Sequence, residues 1–323
     1  MNNSDDFFYG KKVIITGSSG FIGSHLSREL MYKGAKVYAF VRKQSDLWRL
    51  KSIFGKIEII EVDLLNFKNT HKLIDKIRPN YIFHFAIPSH TLLRDALDLR
   101  RQIDITNGHL INLFQSIKLS NIKLNGFIHA CSGSVYEWNK NHFVLTESTP
   151  LQPSTLRGML KLSQRNLCLY LSKNDNIPIK LVRIFRAYGP WETPSKLIVK
   201  ALDSERLKTP IPLGNDEYKR DYIFIKDLID GILALTKSNM PSGTEMNFGS
   251  NSQYNASEIV SKLEQILGNE IPKSLNTYPK NLYDKGDFIA DCSLAKKKLG
   301  WLPTTEIEKG LKATISWYKN QYQ

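Results

Sequence analysis

Three glycines near the N-terminus have the spacing of a phosphate-binding turn. Gly17, Gly20 and Gly23 lie between an apolar segment at 12–16 and a helical pattern at 22–33. A Cβ at these positions blocks the tight turn and the close approach of backbone to a pyrophosphate, while the helix N-terminus offers free N–H groups and a partial positive charge. Because the motif follows a strand and opens a helix, it predicts a dinucleotide site. The residues assigned to it are Gly17, Ser19, Gly20, Phe21, Ile22 and Gly23.

The end of the second apolar segment bears on the choice between NAD and NADP. A carboxylate there accepts hydrogen bonds from the ribose 2′-hydroxyl of NAD. The residues present are Phe40-Val41-Arg42-Lys43-Gln44-Ser45, which include no carboxylate. Arg42 can form charge-assisted hydrogen bonds to a 2′-phosphate, so the sequence favours NADP over NAD. The alternative is an exposed cationic loop with no phosphate contact.

The glycine motif requires a sheet to hold it, and the first half of the chain provides the pattern of one. Strand-like segments alternate with helical patterns, as in a parallel sheet with helices on both faces. The segments lie at 12–16, 36–41, 57–62, 81–85, 126–130 and 179–184. The predicted fold class is therefore α/β, a Rossmann-type doubly wound parallel sheet.

The pattern becomes irregular after Phe185, where prolines and glycines interrupt it. A strand at 222–225 and helices at 227–238, 257–267 and 307–318 are still recognisable. We expect residues 1–185 to form the dinucleotide-binding domain, with 216–240 returning to it. Residues 186–323 are expected to form a smaller, interleaved C-terminal substrate domain that closes over the carboxyl ends of the strands.

Composition narrows the class of protein. The chain has 323 residues, 41% hydrophobic and 24% charged, which is typical of a globular protein. No apolar run reaches the ~20 residues of a membrane span, and the N-terminus lacks a signal-peptide pattern. The three cysteines are far apart and indicate neither a disulfide framework nor a zinc site, so no metal is expected and a cytoplasmic location fits. The net charge of +14 suits anionic ligands such as a dinucleotide and a nucleotide sugar, although abundant surface lysine alone also explains it. An RNA-binding role is a weaker alternative, because the one dense basic run, Lys296-Lys297-Lys298, is short.

Further motifs occur in a fixed order along nearly the whole chain. They are Asp63-Leu64, Phe83-His84-Phe85-Ala86, Ser132-Gly133-Ser134-Val135-Tyr136, Tyr188-Gly189-Pro190, Arg220-Asp221-Tyr222, Asn247-Phe248-Gly249, Gly286-Asp287 and Leu299-Gly300-Trp301-x-Pro303. With the glycine motif they resemble the extended short-chain dehydrogenase/reductases, specifically the nucleotide-sugar epimerase/dehydratase family. The resemblance implies hydride transfer between a nicotinamide and a sugar carbon of a nucleotide-activated sugar. It also implies that Asp63, Leu64, Phe85, Ala86 and Lys161 contact the cofactor.

The resemblance fails at one catalytic position. The family pairs a Ser or Thr with a Y-x-x-x-K segment, in which the Tyr exchanges the hydroxyl proton of the sugar. Ser132 and Lys161 match the family, but Arg157 stands where the Tyr is expected. A guanidinium stays protonated, so Arg157 is a poor proton shuttle; it can stabilise an oxyanion or hold a carboxylate or phosphate. The alternative is a solvated surface arginine on this helix. Tyr136 and His90 are the other candidate acid–base groups, and each also has a purely structural interpretation.

Two more departures concern the reaction and the substrate. Family 4,6-dehydratases carry Asp-Glu after the catalytic Ser or Thr, whereas this chain has Gly133 and Ser134, which disfavours dehydration. Asp284 replaces the Arg that usually binds the diphosphate. Arg186, Arg220 and Lys285 are the candidate residues that supply the positive charge instead.

The favoured hypothesis is an NAD(P)-dependent nucleotide-sugar oxidoreductase or epimerase that acts at one carbinol or keto carbon. The alternative is a cofactor-binding protein without redox turnover, a sensor or scaffold, since the Tyr is missing. The resemblance further implies a homodimer that pairs through helices near 103–116 and 155–171.

Overall fold

A computed structural model describes residues 6–87, 99–136, 144–214, 218–275, 277 and 288–322. Within these ranges, strands and helices alternate through the first half of the chain as the sequence predicts. The strands are β1 (Lys12–Thr16), β2 (Lys36–Val41), β3 (Glu58–Glu61), β4 (Tyr81–His84), β5 (Gly126–Ser132), β6 (Val144–Leu145), β7 (Ile179–Ile184), β8 (Arg186–Tyr188), β9 (Ile211–Pro212), β10 (Arg220–Phe224), β11 (Thr244–Phe248), β12 (Gln253–Tyr254), β13 (Lys273–Ser274) and β14 (Ile289–Ala290). The helices are α1 (Phe21–Tyr32), α2 (Phe67–Ile77), α3 (Leu99–Leu119), α4 (Leu156–Asn174), α5 (Leu197–Leu207), α6 (Ile225–Lys237), α7 (Ala256–Leu267), α8 (Ser293–Leu299) and α9 (Ile307–Tyr322).

A seven-stranded sheet has the strand order β11-β7-β5-β4-β1-β2-β3. The pairs from β3 through β5 are parallel, with Val13 beside both Val37 and Tyr81. The order reverses direction at β1, which places the following turn at the crevice where doubly wound sheets bind ligands. The predicted Rossmann-type fold is thereby confirmed.

Apolar side chains of the strands pack on the helices that cross over the sheet. Ile14, Ile82 and Phe127 are fully buried and share one cluster with Leu110 and Leu113 of α3. Strands buried in this way lack the alternation of a half-exposed sheet, because helices cover their faces. This core fixes the carboxyl ends of β1, β4 and β5, where the candidate site residues lie.

The chain divides into two compact units. The first comprises Met1–Val135, Leu156–Arg183 and Ile232–Glu245; the second comprises Tyr136–Thr155, Ile184–Gly231 and Met246–Gln323. The sequence-based boundaries assign residues 136–155 and 216–240 to the dinucleotide domain. In the structure, 136–155 and the chain up to Gly231 belong to the second unit, and Ile232–Glu245 belongs to the first.

The second unit has its own core and small sheets. Strands β12, β10 and β8 form one sheet, and Ile198, Leu202, Ile259 and Leu311 of its helices share a buried cluster. Helix α5 lies between Pro194 and Pro210, where the sequence pattern is irregular, so that interpretation missed a helix. Among the described residues, no helix is long and apolar enough to cross a membrane.

Candidate functional site

The glycine motif forms a tight turn between β1 and α1. Gly17 has a φ of +74°, and a Cβ there would lie 2.8 Å from backbone atoms of Phe85 and Ala86. A Cβ on Gly23 would lie 2.2 Å from the carbonyl oxygen of Gly17. Gly20 is the N-cap of α1, and no side chain caps the helix. The first-turn N–H groups are thus not covered by a capping side chain, and the turn fits a pyrophosphate.

Hydrogen bonds join this turn to the end of β4. The Thr16 hydroxyl oxygen accepts the Ala86 N–H at 3.2 Å and lies 2.8 Å from His84 Nδ1. These contacts bring Gly17, Phe85 and Ala86 together at one edge of the sheet. All three are residues that the sequence assigns to the cofactor.

The segment after β2 reaches back to the glycine turn through an arginine that the sequence analysis missed. Arg49 donates from Nη1 to the carbonyl oxygen of Ser19 at 3.3 Å, and its guanidinium lies 4.3 Å from the Trp48 ring centre. Arg42 is exposed, and its backbone N–H donates to the Ser45 hydroxyl at 3.1 Å. Arg49 has no fixed motif position, so only the tertiary contact reveals it.

The other expected adenosine contacts lie after β3. Asp63 is exposed, and its Oδ1 accepts the N–H of Leu65 at 2.9 Å. Leu64 is buried, and its carbonyl oxygen accepts from the Asn112 side chain at 2.8 Å. Burial lowers the pKa of His109 on α3 to about 4; the Asp63 carboxylate acts to raise this pKa and the Arg42 guanidinium to lower it.

Ser132 ends β5 at the carboxyl edge of the sheet. Its hydroxyl oxygen accepts the backbone N–H of Ser134 at 3.2 Å and the Ser134 hydroxyl at 2.9 Å. The Ser132 hydroxyl proton is not used in either of these bonds. The side chain can therefore donate that proton to a carbinol or carbonyl oxygen.

Lys161 lies on α4 and is buried. Its Nζ donates to the Ala130 carbonyl oxygen at 2.6 Å and to Gln164 Oε1 at 3.1 Å. Burial, and to a lesser extent the nearby Arg157 cation, lowers the pKa of Lys161 to about 8, while Cys131 acts in the opposite direction. Burial disfavours the charged ammonium, which explains the direction of the shift.

Arg157 precedes Lys161 by one helical turn and is half-buried. It lines a narrow cleft with Lys161, whose other walls are Ile87, Thr106 and Leu160. In this conformation the cleft is too narrow to hold a water molecule. Arg157, at the position where the family has Tyr, is thus a permanent cation beside Lys161.

Tyr136 is fully buried in the second unit. Its hydroxyl donates to Asn247 Oδ1 at 2.7 Å, and the Asn247 amide donates to the Leu145 carbonyl oxygen at 2.8 Å. These bonds favour the structural interpretation of Tyr136. His90, Lys285 and Asp284 lie outside the described residues.

Arg186 and Arg220 lie on neighbouring strands of the second unit. Arg186 is paired in register with Tyr222 of β10, and its guanidinium lies 5.2 Å from the Tyr222 ring centre. Arg220 donates to the Lys219 carbonyl oxygen at 2.7 Å and lies 5.8 Å from the Phe288 ring centre. The structure therefore places both substrate candidates on one small sheet.

Comparison with known proteins identifies the family. The model of the GDP-mannose 4,6-dehydratase family matches residues 14–314. The chain belongs to this family. Among its relatives, UDP-glucuronate 4-epimerase 6 of Arabidopsis thaliana is 27% identical over 97% of this chain and 73% of its own length. The dTDP-glucose 4,6-dehydratase of Haemophilus influenzae is 24% identical over 95% of this chain and 97% of its own length.

Solved structures of similar proteins agree with the family assignment. UDP-glucuronic acid 4-epimerase from Bacillus cereus, in complex with UDP-glucuronic acid and NAD, matches with a TM-score of 0.85 and 27% identity over 96% of this chain and 100% of that one. UDP-glucose 4-epimerase of Thermotoga maritima matches with a TM-score of 0.88 at 21% identity, over 97% and 100% of the two chains, and supports the fold. Membership of the extended short-chain dehydrogenase/reductases, and of an enzyme family of nucleotide-sugar epimerases and dehydratases, is confirmed.

Proposed function

We propose that this protein is an NAD(P)-dependent nucleotide-sugar epimerase or oxidoreductase that acts at a single carbinol or keto carbon. The observation that carries the proposal is the glycine turn against Phe85 and Ala86, in the same unit as Ser132 and the buried Lys161. The family match and the nicotinamide dinucleotide in a similar epimerase support it.

In the proposed reaction, the residues of the site have separate roles. Gly17 and Gly23 keep side chains out of the turn, so that backbone N–H groups hold the pyrophosphate. The bound dinucleotide supplies the hydride acceptor or donor. Ser132 donates a hydrogen bond to the reacting oxygen, and Arg157 stabilises negative charge that develops there. Arg186 and Arg220 bind the diphosphate of the substrate through charge-assisted hydrogen bonds.

Gly133 and Ser134 favour this reaction over 4,6-dehydration. Elimination of water across two carbons needs a second acid–base pair, and neither residue titrates near neutral pH. The family's name therefore does not extend to the reaction proposed for this chain.

Arg42 leads us to propose NADP as the preferred cofactor. Its side chain is exposed after β2, at the position where NAD-binding sheets of this type hold a carboxylate for the ribose. A similar epimerase contains NAD, so the proposal concerns this chain's own residue and needs its own test.

A second candidate function is cofactor binding without redox turnover, as a sensor or scaffold. Arg157 in place of Tyr favours it, because a guanidinium does not release its proton at working pH. Two measurements distinguish the enzyme from the sensor or scaffold. The dinucleotide released from purified protein is identified by mass, and the absorbance of the nicotinamide band is then followed on addition of UDP- or dTDP-linked sugars and keto-sugars. A substrate-dependent absorbance change supports the enzyme. Bound dinucleotide with no change for any sugar supports the sensor, and no binding of dinucleotide in excess contradicts both.

A further inference from the structure

Lys161 is held in the interior by two neutral oxygen atoms. Its side chain is 5% exposed, and Nζ donates to the Ala130 carbonyl oxygen and to Gln164 Oε1. Among the residues that the structure describes, no carboxylate accepts a hydrogen bond from Nζ. An ammonium at this position therefore lacks the ion-pair partner that normally stabilises a buried charge.

The same two bonds suit a neutral amine. A neutral lysine amine has two N–H donors and one lone pair, whereas the ammonium has three donors. Two donors match the Ala130 and Gln164 oxygens, so the nitrogen can lose its third proton without losing either contact. The lone pair then remains to accept a proton from a substrate.

Arg157 adds a fixed positive charge to this environment. It lines the same cleft as Lys161 and, after burial, is the next influence that lowers the pKa of Lys161, to about 8. Among the described residues, the other titratable groups that interact electrostatically with Lys161 are Cys131 and His129 on β5, Cys168 on α4 and His84 on β4. The two thiols have raised pKa values and the two imidazoles have lowered ones, chiefly because of burial, so all four are neutral near pH 7.

The remaining candidates in the described chain are poorer proton acceptors. Tyr136 donates its hydroxyl hydrogen to Asn247 within the second unit. Arg157 is a permanent cation, and the Ser132 alcohol does not hold a negative charge at neutral pH.

We infer that Lys161 itself exchanges the hydroxyl proton of the sugar, in the role of the absent Tyr, and that the Arg157 cation, in addition to stabilising charge on the reacting oxygen, keeps this amine available. The inference rests on the proposed function. In the oxidative direction the carbinol carbon gives a hydride to the nicotinamide dinucleotide and the hydroxyl proton passes to the neutral Nζ. The C–O bond becomes a carbonyl, and the reverse step returns the same hydride and proton.

One test follows the amine directly, without substrate. Protein with ¹³C at lysine Cε is titrated by NMR, and the Lys161 resonance is assigned with Lys161→Arg. We expect Lys161 to titrate near pH 8, to shift upward toward the ordinary lysine value of 10.5 in Arg157→Met, and to stay near the wild-type value in Arg157→Lys, which keeps the charge. Arg100→Met removes a well-exposed arginine of α3 and should have no effect. A Lys161 resonance that titrates at 10.5 in wild type, or is the same in Arg157→Met, overturns the inference.

A second test uses turnover. In the oxidative direction kcat/KM should fall about tenfold per pH unit below the Lys161 pKa, and in Arg157→Met this limb should move upward with the NMR shift. Lys161→Arg should lose at least about 100-fold in kcat at saturating dinucleotide, while a circular dichroism spectrum like that of wild type shows that it is folded. Full turnover by Lys161→Arg contradicts this inference alone, whereas absence of turnover by wild type with every nucleotide sugar contradicts the proposed function.

Discussion

His84 on β4 and His129 on β5 are register partners, and their imidazole rings stack with centres 5.5 Å apart in the interior of the first unit. Within the described ranges, neither nitrogen of His129 and only Nδ1 of His84 has a hydrogen-bond partner. Burial, followed by the charges of nearby groups, places the pKa of each well below the ordinary value of 6.5. The two rings are therefore neutral in the folded protein at pH values where free histidine is protonated.

This pair should make the protein sensitive to mild acid. Below pH 6.5 the unfolded chain takes up protons at these histidines and the folded chain does not, so the free energy of unfolding falls as pH decreases, by about 1.4 kcal/mol per pH unit for each histidine. His129→Phe fills a similar volume and loses no hydrogen bond to a described residue. We expect it to reduce the slope measured by urea unfolding between pH 6 and 5.

His71 on α2, which is half-buried, provides the control. His71→Gln removes a histidine but leaves the buried pair in place, so the difference between the slopes of the two variants isolates the contribution of His129. An unchanged slope in His129→Phe would mean that the ring is protonated, or accessible to protons, in the folded state.

Alanine substitutions at Gly17 and Gly10 should have similar effects on folding stability but different effects on dinucleotide affinity. Gly17 and Gly10 have φ values of +74° and +68°, but only Gly17 would bring a Cβ against backbone; Gly10 has nothing within 4 Å. Both Ala variants should lose about 1–2 kcal/mol from backbone strain. Gly17→Ala should also bind dinucleotide at least about tenfold more weakly, since Phe85 and Ala86 must move away from the turn. Calorimetric titration with NAD and NADP measures the difference, and equal affinity of the two variants would show that the turn does not hold the cofactor.

Arg42 predicts the selectivity between cofactors. If its guanidinium binds a 2′-phosphate, Arg42→Leu removes charge-assisted hydrogen bonds that contribute about 1.5–3 kcal/mol, which is roughly a 10- to 100-fold loss of NADP affinity. NAD has no 2′-phosphate, so its affinity should change little. Lys43→Leu removes a neighbouring exposed cation and should leave the ratio of the two dissociation constants near its wild-type value. The NADP proposal is contradicted if wild-type protein binds NAD more tightly than NADP, or if Arg42→Leu has the same ratio of dissociation constants as wild type.

The sequence predicts those strands and helices whose residues form a recognisable local motif. The segment from β1 through β2 combines a short apolar strand, the glycine spacing and an amphipathic helix, and its predicted bounds differ from the observed ones by a residue at most. Two-residue strands such as β6 and β14 have no periodicity, because only their pairing with each other defines them. Helix α5 is missed because the flanking prolines dominate the pattern.

The residues of the candidate site also fall into those that a local motif identifies and those that only tertiary packing identifies. The glycines and Lys161 belong to motifs with fixed spacing, so sequence alone locates them. The partners of Lys161, the Ala130 carbonyl and Gln164, come from tertiary packing and have no motif. Arg183 is a comparable case: it sits in an apolar strand, yet it is 1% exposed and donates to Glu245 at 2.6 Å, a partner on β11 that the sequence did not predict as a strand.

The surface of α3 and α4 predicts the oligomeric state. Ile103 and Ile111 on α3 are 40% and 39% exposed, and Met159 and Tyr170 on α4 are 54% and 62% exposed. These two helices contact each other, so their exposed apolar residues can contribute to one surface of the kind that a two-fold dimer buries. We expect a dimer by light scattering at micromolar concentration and a monomer for Ile103→Glu with Met159→Glu, because each interface would then bury four unpaired carboxylates. Leu207→Glu on α5, which is 54% exposed in the second unit, is the matched control and should remain dimeric. A monomeric wild type would rule out the dimer. A double variant that remains dimeric would show that the interface lies elsewhere.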